Sequence, residues 1–142
     1  MVHTYTLNNG KEVKVTLKNK RVNKKFFGRV AEHYAYTVII EVEGSKLAYK
    51  TTFHDSIANY RSGKGPSVEL IDDGVYSIIM DADSYKQCPK YTDFINELGY
   101  EDDAEGRRVY KACKETSDIL NAMFSEAEID SLYEECYEKK NQ

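Results

Sequence analysis

The stretch YAYTVIIEVEGSKLAYKTTF, residues 34–53, constrains the fold more than any other part of the chain. Apolar and polar residues alternate on both sides of Gly44-Ser45, the pattern of two strands that each bury one face. A two-residue turn with glycine first reverses the chain there. That register sets Glu43 opposite Lys46, Val42 opposite Leu47, Ile40 opposite Tyr49, Val38 opposite Thr51 and Tyr36 opposite Phe53. The last four pairs share one face, and opposite charges meet at the tip.

A second alternating stretch precedes it, with His3, Tyr5 and Leu7 followed by Val13, Val15 and Leu17 around Asn8-Asn9-Gly10. A two-residue Asn-Gly turn places the two apolar sets on opposite faces. A three-residue loop pairs Tyr5 with Val13 and His3 with Val15, keeping them together. That loop needs its last residue in the left-handed region, where Gly10 stands.

Beyond Phe53 the period of two stops, and HDSIANYRSGKGPS reads as a polar loop. Ser67 then suits the cap of a helix carrying Val68, Ile71, Val75, Ile78 or Ile79, and Ala82. Gly74 lies within it, and Val75–Met80 also fits a buried strand. Cys88-Pro89 ends the segment. Thr92 is the expected cap of a short helix that stops at Gly99. Asp102 or Asp103 opens a long helix with Val109, Ala112, Cys113, Thr116, Leu120 and Met123 on one stripe. Ser125-Glu126-Ala127-Glu128 is a capping box, followed by Ile129, Leu132, Tyr133 and Cys136 facing inward. The expected architecture is a single α+β domain over residues 1–142. Antiparallel β-hairpins form a sheet over 1–53, and 54–142 is mainly helical.

Charge is divided unevenly along this order. Residues 1–30 carry eight Lys/Arg against Glu12 alone, whereas residues 93–142 carry fourteen Asp/Glu against six Lys/Arg. Such polarity speaks to partners more than to fold. The basic stretch KNKRVNKKFFGR offers Lys18, Lys20, Arg21, Lys24, Lys25 and Arg29 to a nucleic-acid backbone. The same lysines also suit a solvated hairpin edge, with Phe26 and Phe27 turning into the core. The run Glu101-Asp102-Asp103-Ala104-Glu105 reads as a helix start, where carboxylates meet unpaired N–H groups. A calcium loop needs alternating ligands and a central glycine that this run lacks.

Motifs for chemistry are sparse. SGKGPS lacks the first glycine of a phosphate-binding loop and does not follow a parallel strand. His54, Cys88, Cys113 and Cys136 have the residue types of a zinc site but no paired spacing. No cofactor is expected. His3, His33 and His54 have no motif-spaced partner, and His54-Asp55-Ser56 would point adjacent side chains to opposite faces. Asp72-Asp73 and Asp81-x-Asp83 read as solvated charge on a helix. The expectation is a protein that is not an enzyme. Three widely spaced cysteines suit a reducing compartment, and no ~20-residue apolar run or basic-then-apolar start indicates a membrane span or secretory signal. A cytoplasmic location follows from this reading.

FINELGYEDDAEGRRVYKACKETSDILNAMF resembles small accessory proteins carried by phages and integrative elements of Gram-positive bacteria. In these an acidic segment runs into a YKAC helix and then a terminal acidic helix. FHDSIANYRSGKGPS and DADSYKQC look like earlier parts of the same pattern, so the likeness covers residues 53–135. It implies a protein made inside an infected host cell, with no catalytic residues to carry over. Small charge-polarised proteins of such loci often block host defence, including anti-CRISPR proteins that bind an RNA-guided nuclease and prevent nucleic-acid loading. On that expectation an acidic helical face formed by Glu101, Asp102, Asp103, Glu126, Glu128, Asp130, Glu134 and Glu135 docks on basic protein surface. The alternative is a nucleic-acid-binding accessory protein using the 18–29 stretch.

Overall fold

A computed structural model describes residues 1–26, 29–43, 45–50 and 67–139. Four strands, β1 (Val2–Thr6), β2 (Glu12–Phe26), β3 (Arg29–Val42) and β4 (Ser45–Lys50), form one antiparallel sheet in the order β1-β2-β3-β4. Among the described residues four helices follow: α1 (Val68–Gln87), α2 (Tyr91–Leu98), α3 (Ala104–Met123) and α4 (Glu126–Tyr133). The last runs into a π-helical turn, Glu134–Glu138. The fold is α+β.

In the first hairpin Tyr5 pairs with Val13 and His3 with Val15, as the parity argument requires. Gly10 sits at φ 88°, and Leu7 and Lys11 close a three-residue loop through Leu7 N–H donating to Lys11 O at 2.9 Å. The hairpin of β3 and β4 differs from expectation by two positions. Val42 pairs with Ser45, Glu41 with Lys46, Ile40 with Leu47 and Val38 with Tyr49. An even slip leaves every residue on its own face. Glu41 then replaces Glu43 opposite Lys46, so the slip loses no charge pair. The expected partners Thr51 and Phe53 lie outside the described residues, as do Phe27 and residues 54–66 of the expected loop.

The 18–29 stretch forms a hairpin that is open along its outer side among the described residues, as the hairpin-edge expectation has it. β2 continues to Phe26 and pairs along its length with β3, ending with Phe26 opposite Arg29.

α1 is helical through Gly74, so the strand alternative for Val75–Met80 is excluded. Ser67 caps it, its Oγ accepting from Leu70 N at 3.2 Å. Ile71, Val75, Ile78, Ile79 and Ala82 are buried, whereas Val68 is exposed at the first turn. Lys90, not Thr92, is the N-cap residue of α2, and it makes no side-chain cap bond. Gly99 closes α2 at φ 77°. Asp103 caps α3. The inward line of α3 runs Gly106, Cys113, Ser117, Leu120 and Met123, and Ala112 is exposed.

The chain divides into two compact units, Met1–Val75 and Tyr76–Gln142, with the boundary inside α1. The first unit centres on Tyr5, Val13, Val15, Leu17, Val38 and Ile40 beneath Ile71 and Val75, all buried. A Cβ added at Gly74 would lie 2.5 Å from Val38 Cγ2, so the glycine lets the helix backbone lie directly on β3. Tyr5 OH donates to Asp72 one half-turn away. Asp72 is therefore a hydrogen-bond partner of the sheet, not solvated charge.

Gly74→Ala is expected to lower stability by about 1–2 kcal/mol, because overpacking outweighs alanine's helix preference. Urea denaturation of Gly74→Ala, Val38→Ala and the double variant checks this. The double variant should lose at least about 0.5 kcal/mol less than the sum of the singles. A rise in midpoint for Gly74→Ala would show that the close approach has slack.

Candidate functional site

The expected acidic residues occupy two places in the C-terminal unit. Glu101, Asp102 and Asp103 precede α3, and Glu126, Glu128 and Asp130 lie on α4 beyond its other end. The 20-residue helix between them spans about 30 Å. The two groups stand at opposite ends of α3.

In the first group the side chains of Asp102 and Asp103 are occupied in building the helix start. Asp103 Oδ1 accepts from Gly106 N at 2.8 Å. Asp102 accepts from Tyr91 OH at 2.7 Å and pairs with Arg107 at 3.3 Å. Arg108 reaches Glu105 at 2.7 Å. These pairs are exposed, so each ion pair contributes at most about 0.5 kcal/mol, whereas a cap contributes about 1 kcal/mol. The run is a helix start.

In the second group the capping box is complete. Glu128 Oε1 accepts from Ser125 N at 2.8 Å, and Ser125 Oγ accepts from Glu128 N at 3.2 Å. Glu135 pairs with Lys139 in the following turn. Glu126 and Asp130 are exposed and have no ion-pair partner among the described residues. Both border a groove of about 230 Å³ walled by α1, α3 and α4. Its floor includes the buried Ile79, Ala82 and Leu120, and its rim adds Asp83, Lys86 and Asn121. This groove was not read from the sequence. Ile79, Ala82, Asp83 and Lys86 do recur at helical spacing, which was its one readable trace.

Tyrosines brace the same unit. Tyr76 stacks on Tyr137 at 4.6 Å between ring centroids, with Tyr133 5.3 Å from Tyr137. At the other end Tyr110 meets Phe94 edge-on at 5.2 Å, and its hydroxyl donates to Pro89 O at 2.6 Å.

The basic residues stand on a two-stranded ribbon. β1 pairs with β2 only as far as Thr16, and β4 pairs with β3 only from Thr37 onward. Between these limits residues 19–26 pair with 29–36 alone among the described residues. Lys18, Lys20, Lys24 and Arg29 share one register parity across the ladder, and Arg21 and Lys25 share the other.

The cysteines do not assemble. Cys113 is buried with Phe94 and Ile95, and Cys88 packs on that cluster. Cys136 is buried and lies 3.7 Å from Tyr133 O. Burial, with a smaller contribution from the Asp81 charge, pushes the Cys113 thiol up to about 12. It therefore stays protonated at neutral pH, as a thiol packed among apolar side chains does. His54, Asp55, Ser56 and residues 62–66 lie outside the described residues. Among the described residues, no three His, Cys, Asp or Glu side chains converge on a metal position. None of the described helices is long and apolar enough to cross a membrane.

Compared with known proteins, the chain matches no family model, no curated protein and no solved structure.

Native alkylation at pH 8, followed by mass mapping, should label Cys88 and leave Cys113 unmodified until denaturant is added. Because the folded thiol titrates higher than the unfolded one, its contribution to stability is intact below pH ~9 and declines as pH rises toward 12. Labelling of Cys113 at the rate of Cys88 would contradict its burial.

Proposed function

We propose that this chain is a non-enzymatic phage or mobile-element protein that inhibits a bacterial defence system. It acts as anti-CRISPR proteins do, by seating acidic surface on the basic channel of an RNA-guided nuclease. The observation that carries the reading is the pair Glu126 and Asp130, exposed carboxylates without an ion-pair partner among the described residues. They belong to a unit that holds sixteen Asp/Glu against eight Lys/Arg over residues 76–142. The resemblance of residues 53–135 to phage accessory proteins supplies the setting. Charges of this kind act on encounter rate and register, and salt screens them beyond about 8 Å at physiological strength.

The test is a plasmid-interference assay in cells carrying a single-effector CRISPR nuclease, with a parallel pull-down of the nuclease. The chain should restore transformation, and Glu126→Lys with Asp130→Lys should cut capture at least about tenfold, about 1.4 kcal/mol. Capture that survives the reversal, in a variant with unchanged circular dichroism, removes these acids from the account.

A second reading rests on the ribbon. A two-stranded ribbon fits the major groove of duplex DNA, which is about 12 Å wide. Lys18, Lys20, Lys24 and Arg29 occupy one parity of this ribbon with no acid between positions 18 and 37 on it. Under this reading the chain retards duplex DNA in a low-salt gel shift. Log affinity should fall linearly with log salt, by about 0.9 per phosphate contacted, and Lys20→Glu with Lys24→Glu should flatten that slope. Absence of retardation at 50 mM salt disposes of it.

A further inference from the structure

We infer that the groove walled by α1, α3 and α4 is a docking site for a short cationic amphipathic segment of a partner polypeptide. One apolar side chain of that segment enters over Ile79, Leu120 and Ile129, and a flanking lysine or arginine meets Glu126 and Asp130. This deepens the reading above, because the same two carboxylates form the groove's rim.

Three features select this occupant. The floor is apolar, so it favours a hydrocarbon side chain that leaves water. The rim carries Asp83, Glu126 and Asp130 against Lys86, an excess of two negative charges. Of these, Asp83 already accepts from Gln87 at 2.7 Å, leaving Glu126 and Asp130 to face an incoming cation. The space, about 230 Å³, is smaller than the roughly 300–1,000 Å³ of small-molecule sites and suits one or two side chains.

The walls are held independently of any ligand. The capping box fixes the first turn of α4, and Asn121 Nδ2 donates to Ser117 O at 2.8 Å at the end of α3. At the far side Tyr133 is packed against Tyr76 and Tyr137. A groove whose walls are preset costs less to fill than one that must first be ordered. This is the helix-in-groove or short-segment mode of recognition, in which an apolar anchor supplies affinity and rim charges supply orientation.

The experiment uses the full chain, labelled with nitrogen-15, and a nine-residue peptide of alternating leucine pairs and lysines. Its control is the same peptide with glutamate in place of lysine. The lysine peptide should shift amide resonances of Ile79, Leu120, Ile129 and their neighbours in a saturable manner, and the glutamate peptide should not. Glu126→Gln with Asp130→Asn should weaken the lysine peptide about tenfold. Ile129→Ser should weaken it comparably by removing floor, and thermal melts establish that each variant folds. Shifts spread over all acidic surface, or equal binding of both peptides, would overturn the groove.

The two readings fail separately. Peptide binding in the groove with no effect on any nuclease leaves the groove standing and sinks the inhibitor. Nuclease inhibition lost in the charge variant but untouched by Ile129→Ser leaves the inhibitor standing and sinks the groove. Sedimentation showing a dimer that the charge variant dissociates would replace the partner polypeptide with a second copy of this chain.

Discussion

The absence of a side chain at Gly74 is what the first unit depends on. A glycine in the middle of a helix costs about 1 kcal/mol relative to alanine, so retaining one there requires a compensating contact. Val38 Cγ2 occupies the space a Cβ would need. Buried Ile71 and Val75 flank that contact, and Asp72 accepts the Tyr5 hydroxyl beside it. Apolar burial is non-directional and tolerates sliding, whereas a steric notch and one polar tether do not. Together they fix the first part of α1 along β3 and so set one position on the sheet.

Charge divides along the same lines as packing. Residues 1–75 hold twelve Lys/Arg against eight Asp/Glu, and residues 76–142 reverse the balance to eight against sixteen. Within the acidic unit most carboxylates near helix starts have structural work. Asp103 caps, Glu128 completes a box, and Asp102 and Glu105 neutralise Arg107 and Arg108. What distinguishes Glu126 and Asp130 is not charge, which they share with the rest, but the lack of any such assignment beside an apolar depression.

The parts of the fold that were legible are those where parity allowed one answer. Gly10 and the two apolar sets around it permit only a three-residue loop if both sets are to be buried. The β3–β4 hairpin kept its faces but not its turn, because Glu41 and Glu43 are alternative partners for Lys46 two residues apart. The long β2–β3 pairing was hidden, since residues 18–25 put polar groups on both faces and the backbone ladder carries no sequence signature. In α3 a stripe chosen by hydrophobicity put Ala112 inward. The helix instead turns Gly106 and Ser117 there, small residues that allow close packing. The groove was least legible of all, as it arises where α1 meets the α3–α4 junction, which is remote from it in sequence.

Sorting the carboxylates by structural work also decides how charge substitutions are to be interpreted. Reversing Asp103 removes a cap worth about 1 kcal/mol, and reversing Glu128 removes the side-chain half of a reciprocal pair of hydrogen bonds. Loss of binding in either case confounds a damaged helix start with a lost contact. Glu126 lies in the first turn of α4 without a bonding role there, so its reversal forfeits only the interaction with the helix dipole, about 0.3–1 kcal/mol. Asp130, one turn further along, is beyond most of that field. A loss of binding larger than these amounts at the two positions therefore has to come from the partner's side of the contact. That is why they, and not the denser run at 101–105, are the informative acids of this chain.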